Sequence, residues 1–244
     1  MRPNPLALAM LAGTVFAAGA CVSSDQDTVI VILQNNPPAD GCLSNVDTSA
    51  AFIARGIVDT NSPNGYMLSP IVTNTASTTN STTSQLYLLE GADITLTPQS
   101  GFFTDGELAE LDMANQLSFS QRFSGVVEPD GGITFMVFEI IGTPFLDAVA
   151  AKLPADGTKL QVKASIQIFG QLHGGELKSQ KFGYWVDVCN GCLAPVDLGT
   201  CDSVPDGYVA GQGSCWGLQD SAVECCTDAS GATICPATGP ASGT

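Results

Sequence analysis

The stretch that decides the fold is Leu160–Ile168, which reads LQVKASIQI. Apolar residues occupy every second position, and polar or small residues fill the positions between them. A period of two places the apolar side chains on one face of a β-strand and leaves the other face in water. His173-Gly174-Gly175 then predicts a reversal of the chain. The returning strand again has one apolar face, formed by Phe182, Tyr184, Val186 and Val188, so the two strands predict a half-buried hairpin.

Six further segments are typical of strands, because they are short, rich in β-branched and aromatic residues, and bounded by turn residues. They are Thr28–Leu33, Ala50–Val58, Tyr66–Val72, Gln85–Thr97, the alternating region of Leu117, Phe119 and Phe123, and Ile133–Ile141. Pro70 predicts an edge or a bulge, and Gly91 predicts a bulge. Ile133–Ile141 is apolar on both faces, which favours a central position. Asn74–Ser84 holds little that could be buried and predicts an exposed loop.

One helix is well marked. Thr143 suits the N-cap and Pro144 the first helical position. An apolar stripe follows and consists of Phe145, Leu146, Val149 and Leu153. Glu107–Met113 is compatible with one or two further helical turns. About seven or eight strands with one short helix predict an all-β fold, an antiparallel immunoglobulin-like β-sandwich, followed by a small disulfide-rich C-terminal segment.

The N-terminus predicts export. Arg2 precedes an uncharged, mostly apolar run at Leu6–Ala20, and Cys21 follows the small residues Ala18-Gly19-Ala20. This order is typical of a cleaved signal peptide, here residues 1–20. A cysteine at the first mature position is where bacterial lipoproteins are lipidated, so Cys21 is the predicted lipid anchor. Ala18 stands where most lipoprotein signals have Leu, and an A-x-A site also suits plain secretion, which stays open as the alternative.

The cysteine count supports lipidation of Cys21. An exported chain with nine cysteines leaves one thiol without a disulfide partner. If Cys21 carries lipid, eight remain for four bridges: Cys42, Cys189, Cys192, Cys201, Cys215, Cys225, Cys226 and Cys235. The adjacent Cys225 and Cys226 should bond to different partners. Cys42 should reach the C-terminal cluster, with Cys189 or Cys192 as the expected partner, and that cross-link should add about 2–4 kcal/mol.

These features predict five regions along the chain. Residues 1–20 form the signal peptide and 21–27 a lipidated tether. Residues 28–189 form the sandwich domain. Residues 190–235 are too poor in apolar side chains to fold by burial alone, so disulfides should hold them. Residues 236–244 are expected to be disordered.

The charge balance excludes some classes of partner. Eight basic and 24 acidic residues give a net charge of −16. Removing residues 1–20 loses only Arg2, so the mature chain carries 7 − 24 = −17. A surface this acidic repels phosphate backbones, which argues against nucleic-acid binding. No later segment offers eighteen consecutive apolar residues, so membrane attachment should depend on the lipid alone.

Motifs with catalytic or metal-binding chemistry are scarce. Cys189-Asn190-Gly191-Cys192 lacks the second pair of a zinc ribbon and the βαβ context of a redox motif, so it predicts structural disulfides. His173 is the only histidine and should be an exposed turn residue. Asp25/Asp27 and Glu107/Glu110 could ligate calcium, but no EF-hand spacing occurs. The sequence therefore assigns no catalytic, cofactor-binding or metal-binding residue.

Several segments together resemble a known group of proteins. They are GIVD at Gly56–Asp59, YMLSPIVTN at Tyr66–Asn74, LLEGADITL at Leu88–Leu96, FSGVVEPDGG at Phe123–Gly132 and, most specifically, the region Ile168–Leu193 that ends in VCNGCL. In this order they resemble uncharacterised outer-membrane lipoproteins of the myxobacterial type with a Cys-rich C-terminal tail. The resemblance implies an exported, lipid-anchored sandwich, and it implies no activity.

The function expected from the sequence is that of a non-enzymatic, lipid-anchored protein of the bacterial cell envelope. It should act as an interaction or structural module at the outer membrane, on the periplasmic or the surface side, with other envelope proteins as possible partners. Two alternatives stay open. One is a carbohydrate- or calcium-binding surface module. The other is a hydrolase of envelope polymers that uses a carboxylate pair about 5–9.5 Å apart.

Overall fold

The computed structural model describes residues 29–39, 43–77, 86–204 and 215–235. The predicted signal peptide (1–20), tether (21–27), C-terminal tail (236–244) and most of the Asn74–Ser84 loop lie outside these ranges, as do Cys21 and Cys42. Within them no helix has the length and apolar character needed to cross a bilayer.

The described chain is built mainly from strands. They are β1 (Ile30–Asn35), β2 (Gly56–Asp59), β3 (Tyr66–Leu68), β4 (Pro70–Asn74), β5 (Tyr87–Pro98), β6 (Ser118–Val127), β7 (Gly132–Phe135), β8 (Phe138–Ile141), β9 (Lys159–Leu172), β10 (Gly175–Lys178), β11 (Phe182–Cys189), β12 (Val196–Thr200), β13 (Glu224–Thr227) and β14 (Thr233–Ile234). The helices are α1 (Asp105–Met113) and α2 (Thr143–Ala150). The expected all-β class is therefore confirmed, with two helices instead of one.

The largest sheet has the order β2-β11-β9-β5-β6, and β10 also pairs with β9. Its centre is β9, which contains the alternating stretch Leu160–Ile168. The apolar positions of that stretch are buried. His173 and Gly174 join β9 to β10 with φ angles of 55° and 77°, the left-handed conformations that a two-residue hairpin turn of type I′ requires. The predicted hairpin is thus present, with its returning strand divided into β10 and β11.

A second layer covers the apolar face of the large sheet. It contains the sheet β1-β4-β7, the pair β3-β8 and both helices, and one continuous core joins it to the large sheet. The arrangement is an open, sandwich-like packing of two layers. Most pairings are antiparallel, but β2 runs parallel to β11 and β12 parallel to β13.

The expectation that Ile133–Ile141 forms one central strand is wrong. The segment divides into β7 and β8, which belong to different sheets, and β7 lies at a sheet edge. Ile133 is 44% exposed and Phe135 40%. The segment is apolar on both faces because it crosses from one sheet to another. It is not a single strand buried on both faces.

Tyr66–Val72 also divides into two strands, β3 and β4, at Ser69. Pro70 is the first residue of β4, a position that needs no backbone N–H donor. It does not mark an edge, because β4 is the middle strand of its sheet. Ala50–Val58 was also predicted too long, since its strand begins only at Gly56.

Gly91 confirms the predicted bulge. The register of β5 shifts between Leu89 and Gly91 against both neighbouring strands. Before the shift, odd-numbered residues such as Leu89 face the core. After the shift, even-numbered residues such as Ala92 face it. A bulge inserts one residue and so reverses this parity. A Cβ at Gly91 would lie 2.3 Å from the carbonyl oxygen of Gln121, which explains why glycine occupies this position.

The two helices begin differently from each other. Thr104 caps α1 in a capping box: its hydroxyl accepts from the Glu107 backbone N–H, and the Glu107 carboxylate accepts from the Thr104 N–H. Thr143, the predicted cap of α2, is instead its first helical residue, and Gly142 is the N-cap, with no side-chain hydrogen bond. The apolar stripe of α2 is buried as expected.

Three disulfides join cysteines of the C-terminal segment: Cys189–Cys192, Cys201–Cys226 and Cys225–Cys235. Cys215 is disulfide-bonded as well. Cys225 and Cys226 bond to different partners, as predicted. The expectation that Cys189 or Cys192 bonds to Cys42 is wrong, because these two cysteines are three residues apart across a tight turn and bond to each other. Cys42 itself lies outside the described residues.

Part of the Cys-rich segment docks against both layers of the sandwich. Backbone hydrogen bonds join Asp59 to Leu218 (3.0 Å) and Asp220 to Ile57 (2.8 Å), so the segment covers the free edge of β2. The Gln219 side chain accepts from the N–H of Met67 and donates to its carbonyl, each at 2.7 Å, and so pairs with β3 as a strand residue would.

Candidate functional site

The C-x-x-C motif forms part of the structural framework. Asp59, Cys189 and Cys192 are the only grouping of three possible ligand residues within the ranges that the structure describes. The two sulfurs are joined in a disulfide and are not thiolates, the form that binds metal. Burial raises the pKa of Asp59, but hydrogen bonds from the backbone N–H groups of Leu193 and Asn61 outweigh it and hold the pKa below the usual value. Asp59 therefore anchors the chain around the disulfide.

The other residues considered from the sequence do not come together. His173 is exposed in the β9–β10 turn, as expected. Glu107 accepts two hydrogen bonds from the Lys152 ammonium, and this contact, with the capping box, lowers its pKa to about 2. Glu107 thus joins α1 to α2 as a permanent anion. Asp25 and Asp27 lie outside the described residues.

A different set of side chains surrounds two adjoining cavities of about 300 Å³ and 640 Å³. Gln121 of β6 and Glu139 of β8 line both cavities, so they stand where the two meet. We call the combined depression the Glu139 groove. Its smaller part lies beside the end of α1 and the start of α2, and its larger part lies beside the Cys-rich segment. Other lining residues are Asn64, Asn115, Gln116, Arg122, Phe123 and Trp216.

Glu139 is the most unusual group in the groove. It lies on β8 opposite Met67 of β3. A Cβ at Gly142 would lie 3.1 Å from one of its carboxyl oxygens, and a Cβ at Gly65 would lie 3.3 Å from the other. Two glycines thus leave room for this carboxyl group. Burial raises the pKa of Glu139, and within the described ranges no counter-charge acts against the effect. A partly buried carboxyl group with a perturbed pKa in a cleft is a candidate functional group.

Gln116 adds a second unusual polar group. It follows α1 and Asn115, whose φ of 55° is left-handed and turns the chain at the end of the helix. The Gln116 side-chain oxygen is buried without a hydrogen-bond partner, the one such atom in the described part of the chain. An unsatisfied buried acceptor costs about 1–3 kcal/mol. Gln116 is also one of the residues that line the smaller cavity, although this oxygen itself is closed off from solvent.

The walls of the groove combine aromatic and amide groups. Phe119 and Phe123 project from the inner face of β6, and Trp216 comes from the Cys-rich segment next to Cys215. The Arg122 side chain points to the other face of the large sheet, away from the groove. Its guanidinium lies there 4.8 Å from the centroid of the Phe169 ring. Glu139 is the one carboxylate among the described residues that line the groove.

Comparisons with models of known protein families and with curated proteins find no match for this chain. The resemblance to myxobacterial-type lipoproteins therefore depends on the quoted sequence segments alone.

Glu139, Gln116 and Trp216 were not among the residues predicted from the sequence. One signal was available: Glu139 is the only charge within the apolar stretch ITFMVFEII, where a carboxylate is costly unless it has a role. The joining of β6, β8 and residue 216 around it depends on long-range topology, which the sequence did not reveal.

Proposed function

We propose that this chain is a non-enzymatic binding protein of the bacterial cell envelope. It is exported through the signal peptide of residues 1–20 and held at the outer membrane by lipid on Cys21. The observation that carries the binding role is the Glu139 groove, a mixed aromatic and amide cleft whose one carboxyl group has no partner among the described residues. Concave sites with a few convergent polar groups are the usual form of small-molecule sites.

The disulfides indicate the compartment. Three bridges link cysteines of residues 189–235, and such bridges persist in oxidising environments outside the cytoplasm. The finer placement, a lipid anchor at the outer membrane, is supported by Cys21 after the A-G-A site and by the odd number of cysteines. The resemblance to outer-membrane lipoproteins points the same way and makes other envelope proteins the expected partners.

Binding explains the groove better than hydrolysis. Glycoside hydrolysis through carboxyl groups uses two of them, one on each side of the scissile bond. The described lining of the groove offers Glu139 without a second carboxylate. Glu107 and Glu110 of α1 line a neighbouring depression that shares Ala114, Gln116 and Pro144 with the smaller cavity, and Glu107 is paired there with Lys152. The calcium-binding alternative gains no support from these groups.

Membrane fractionation of a bacterial host that expresses the full chain tests the location. We expect the protein in the membrane fraction, with a diacylated or triacylated Cys21 peptide in mass spectra. The Cys21→Ser variant keeps Ala18-Gly19-Ala20, so an ordinary signal peptidase can still cut it, and it should appear as a soluble exported protein. An unmodified Cys21 at the N-terminus of membrane-bound protein would show that the anchor is wrong.

A further inference from the structure

We propose that the Glu139 groove binds a neutral saccharide, with a sugar ring packed on Trp216 or Phe123 and its hydroxyl groups hydrogen-bonded to Gln121 and Glu139. This rests on the proposed function, because it names the ligand class of the same site. The amide and aromatic side chains of the lining point to this ligand class.

The polar lining matches a ligand rich in hydroxyl groups. Side-chain amides come from Asn64, Asn115, Gln116 and Gln121, and each offers both donors and an acceptor. A sugar hydroxyl also donates and accepts. Two neighbouring hydroxyls can therefore bind one amide, one by donating to its oxygen and the other by accepting from its nitrogen.

The apolar lining matches the other half of a sugar. Trp216 and Phe123 line the larger cavity beside Asn64 and Gln121. Aromatic rings present broad apolar faces, which can pack against the C–H faces of a pyranose ring while its equatorial hydroxyls point to the amides. A purely apolar ligand would leave the amides and Glu139 without partners, and this costs free energy in a closed complex.

The charges disfavour an anionic ligand, which would face Glu139 and a chain of net charge −16. The Arg122 guanidinium gives no compensation, because it lies on the opposite face of the sheet. Most of the polar side chains that line the groove are uncharged, so a neutral polar molecule matches the lining.

Tryptophan fluorescence can report binding at this site. The chain has two tryptophans, and Trp185 is 44% exposed on the opposite face of the sheet. In the Trp185→Phe variant, emission comes from Trp216 alone. This variant of the lipidated full chain would be purified in a zwitterionic detergent that contains no sugar. It would then be screened on a panel of neutral, acidic and amino oligosaccharides and titrated with each positive. We expect a saturable change of Trp216 emission with one or more neutral oligosaccharides.

Matched substitutions locate the site. We expect Glu139→Gln and Gln121→Ala each to weaken binding of the selected oligosaccharide about tenfold, the loss expected for about 1.4 kcal/mol. Glu176→Gln on exposed β10 is the control for charge removal and should leave affinity unchanged. Trp216→Ala should abolish binding measured by calorimetry, whereas Trp185→Ala should retain it. Circular dichroism and melting temperature establish that each variant is folded.

Three results would overturn the proposal. They are no saturable response to any neutral saccharide, equal loss of affinity in Glu139→Gln and Glu176→Gln, and binding of acidic or amino oligosaccharides only. None of these results affects the membrane anchor, which fractionation tests independently. Cleavage of a bound oligosaccharide would refute the non-enzymatic function but leave the saccharide site in place.

Discussion

The hydroxyl oxygens of Tyr66 and Tyr184 lie 2.8 Å apart in the middle of the core, where strands of the two layers meet. Tyr66 also donates to the Asp220 carboxylate at 3.1 Å, and Asn35 donates to the Tyr184 hydroxyl at 2.9 Å. Asp220 accepts in addition from the Ile57 N–H at 2.9 Å. A network of paired polar groups thus connects both layers to the Cys-rich segment.

Removing the Tyr66 hydroxyl should destabilise the whole domain. Tyr66→Phe keeps the ring but leaves Asp220 and Tyr184 with one partner fewer in a buried site, which costs about 1–3 kcal/mol. Urea denaturation measures the free energy of unfolding. Trp185→Phe, an aromatic substitution on the exposed face, is the control and should change it little. Equal stability of Tyr66→Phe and wild type would mean that water replaces the hydroxyl.

Asp220 should make stability depend on pH. Burial raises its pKa above the ordinary value, against the hydrogen bonds from Ile57, Gln219 and Tyr66. Between the unfolded and the folded pKa the native state binds more protons, so the free energy of unfolding falls as pH rises through this window. The Asp220→Asn variant lacks this effect. We expect the stability of wild type relative to Asp220→Asn to decrease from pH 3 towards neutrality, and denaturation curves at several pH values measure it. A difference that increases with pH would contradict the prediction.

The remaining disulfide should join Cys42 to Cys215. Six of the cysteines bond among themselves, and Cys215 is bonded too. If Cys21 carries lipid, only Cys42 is left as a partner. Peptide mapping under non-reducing conditions should find the Cys42–Cys215 cross-linked peptide. A Cys21–Cys215 peptide or a free Cys42 thiol would contradict both this bridge and the argument from the cysteine count.

Gly91 should tolerate no side chain, unlike a second glycine of the same sheet. A Cβ at position 91 would lie 2.3 Å from the Gln121 carbonyl oxygen and 2.5 Å from the Phe169 ring. Gly91→Ala should therefore cost about 1–3 kcal/mol through displacement of the backbone. At Gly183 the nearest atom is the flexible end of Lys163, 3.5 Å away, so Gly183→Ala is the matched control. Thermal melting compares the two, and similar melting temperatures would show that the bulge relaxes.

Local sequence patterns predicted individual strands and helices better than they predicted which strands pair with each other. The alternation in Leu160–Ile168 identified the central strand, and Gly91 identified the bulge, because each signal depends on neighbouring residues. The prediction of one central strand at Ile133–Ile141 was wrong, because a segment that crosses between two sheets has the same apolar composition as a strand buried on both faces. Glu139 gains its meaning only from Gln121 and Trp216, which are distant in the chain, so no local pattern could reveal the groove.

The docking of Asp220 and Gln219 has a consequence for the order of maturation. Asp220 bonds to Ile57, 163 residues earlier, and Gln219 to Met67, 152 residues earlier. A chain that emerges from an export channel with its N-terminus first would expose β2 and β3 long before the groups that complete them arrive. In such a chain the edge of β2 and the backbone of Met67 would stay uncovered until residues 218–220 have been translocated. The last part of the polypeptide would then complete the sandwich, and a chain truncated before residue 218 would keep an open edge.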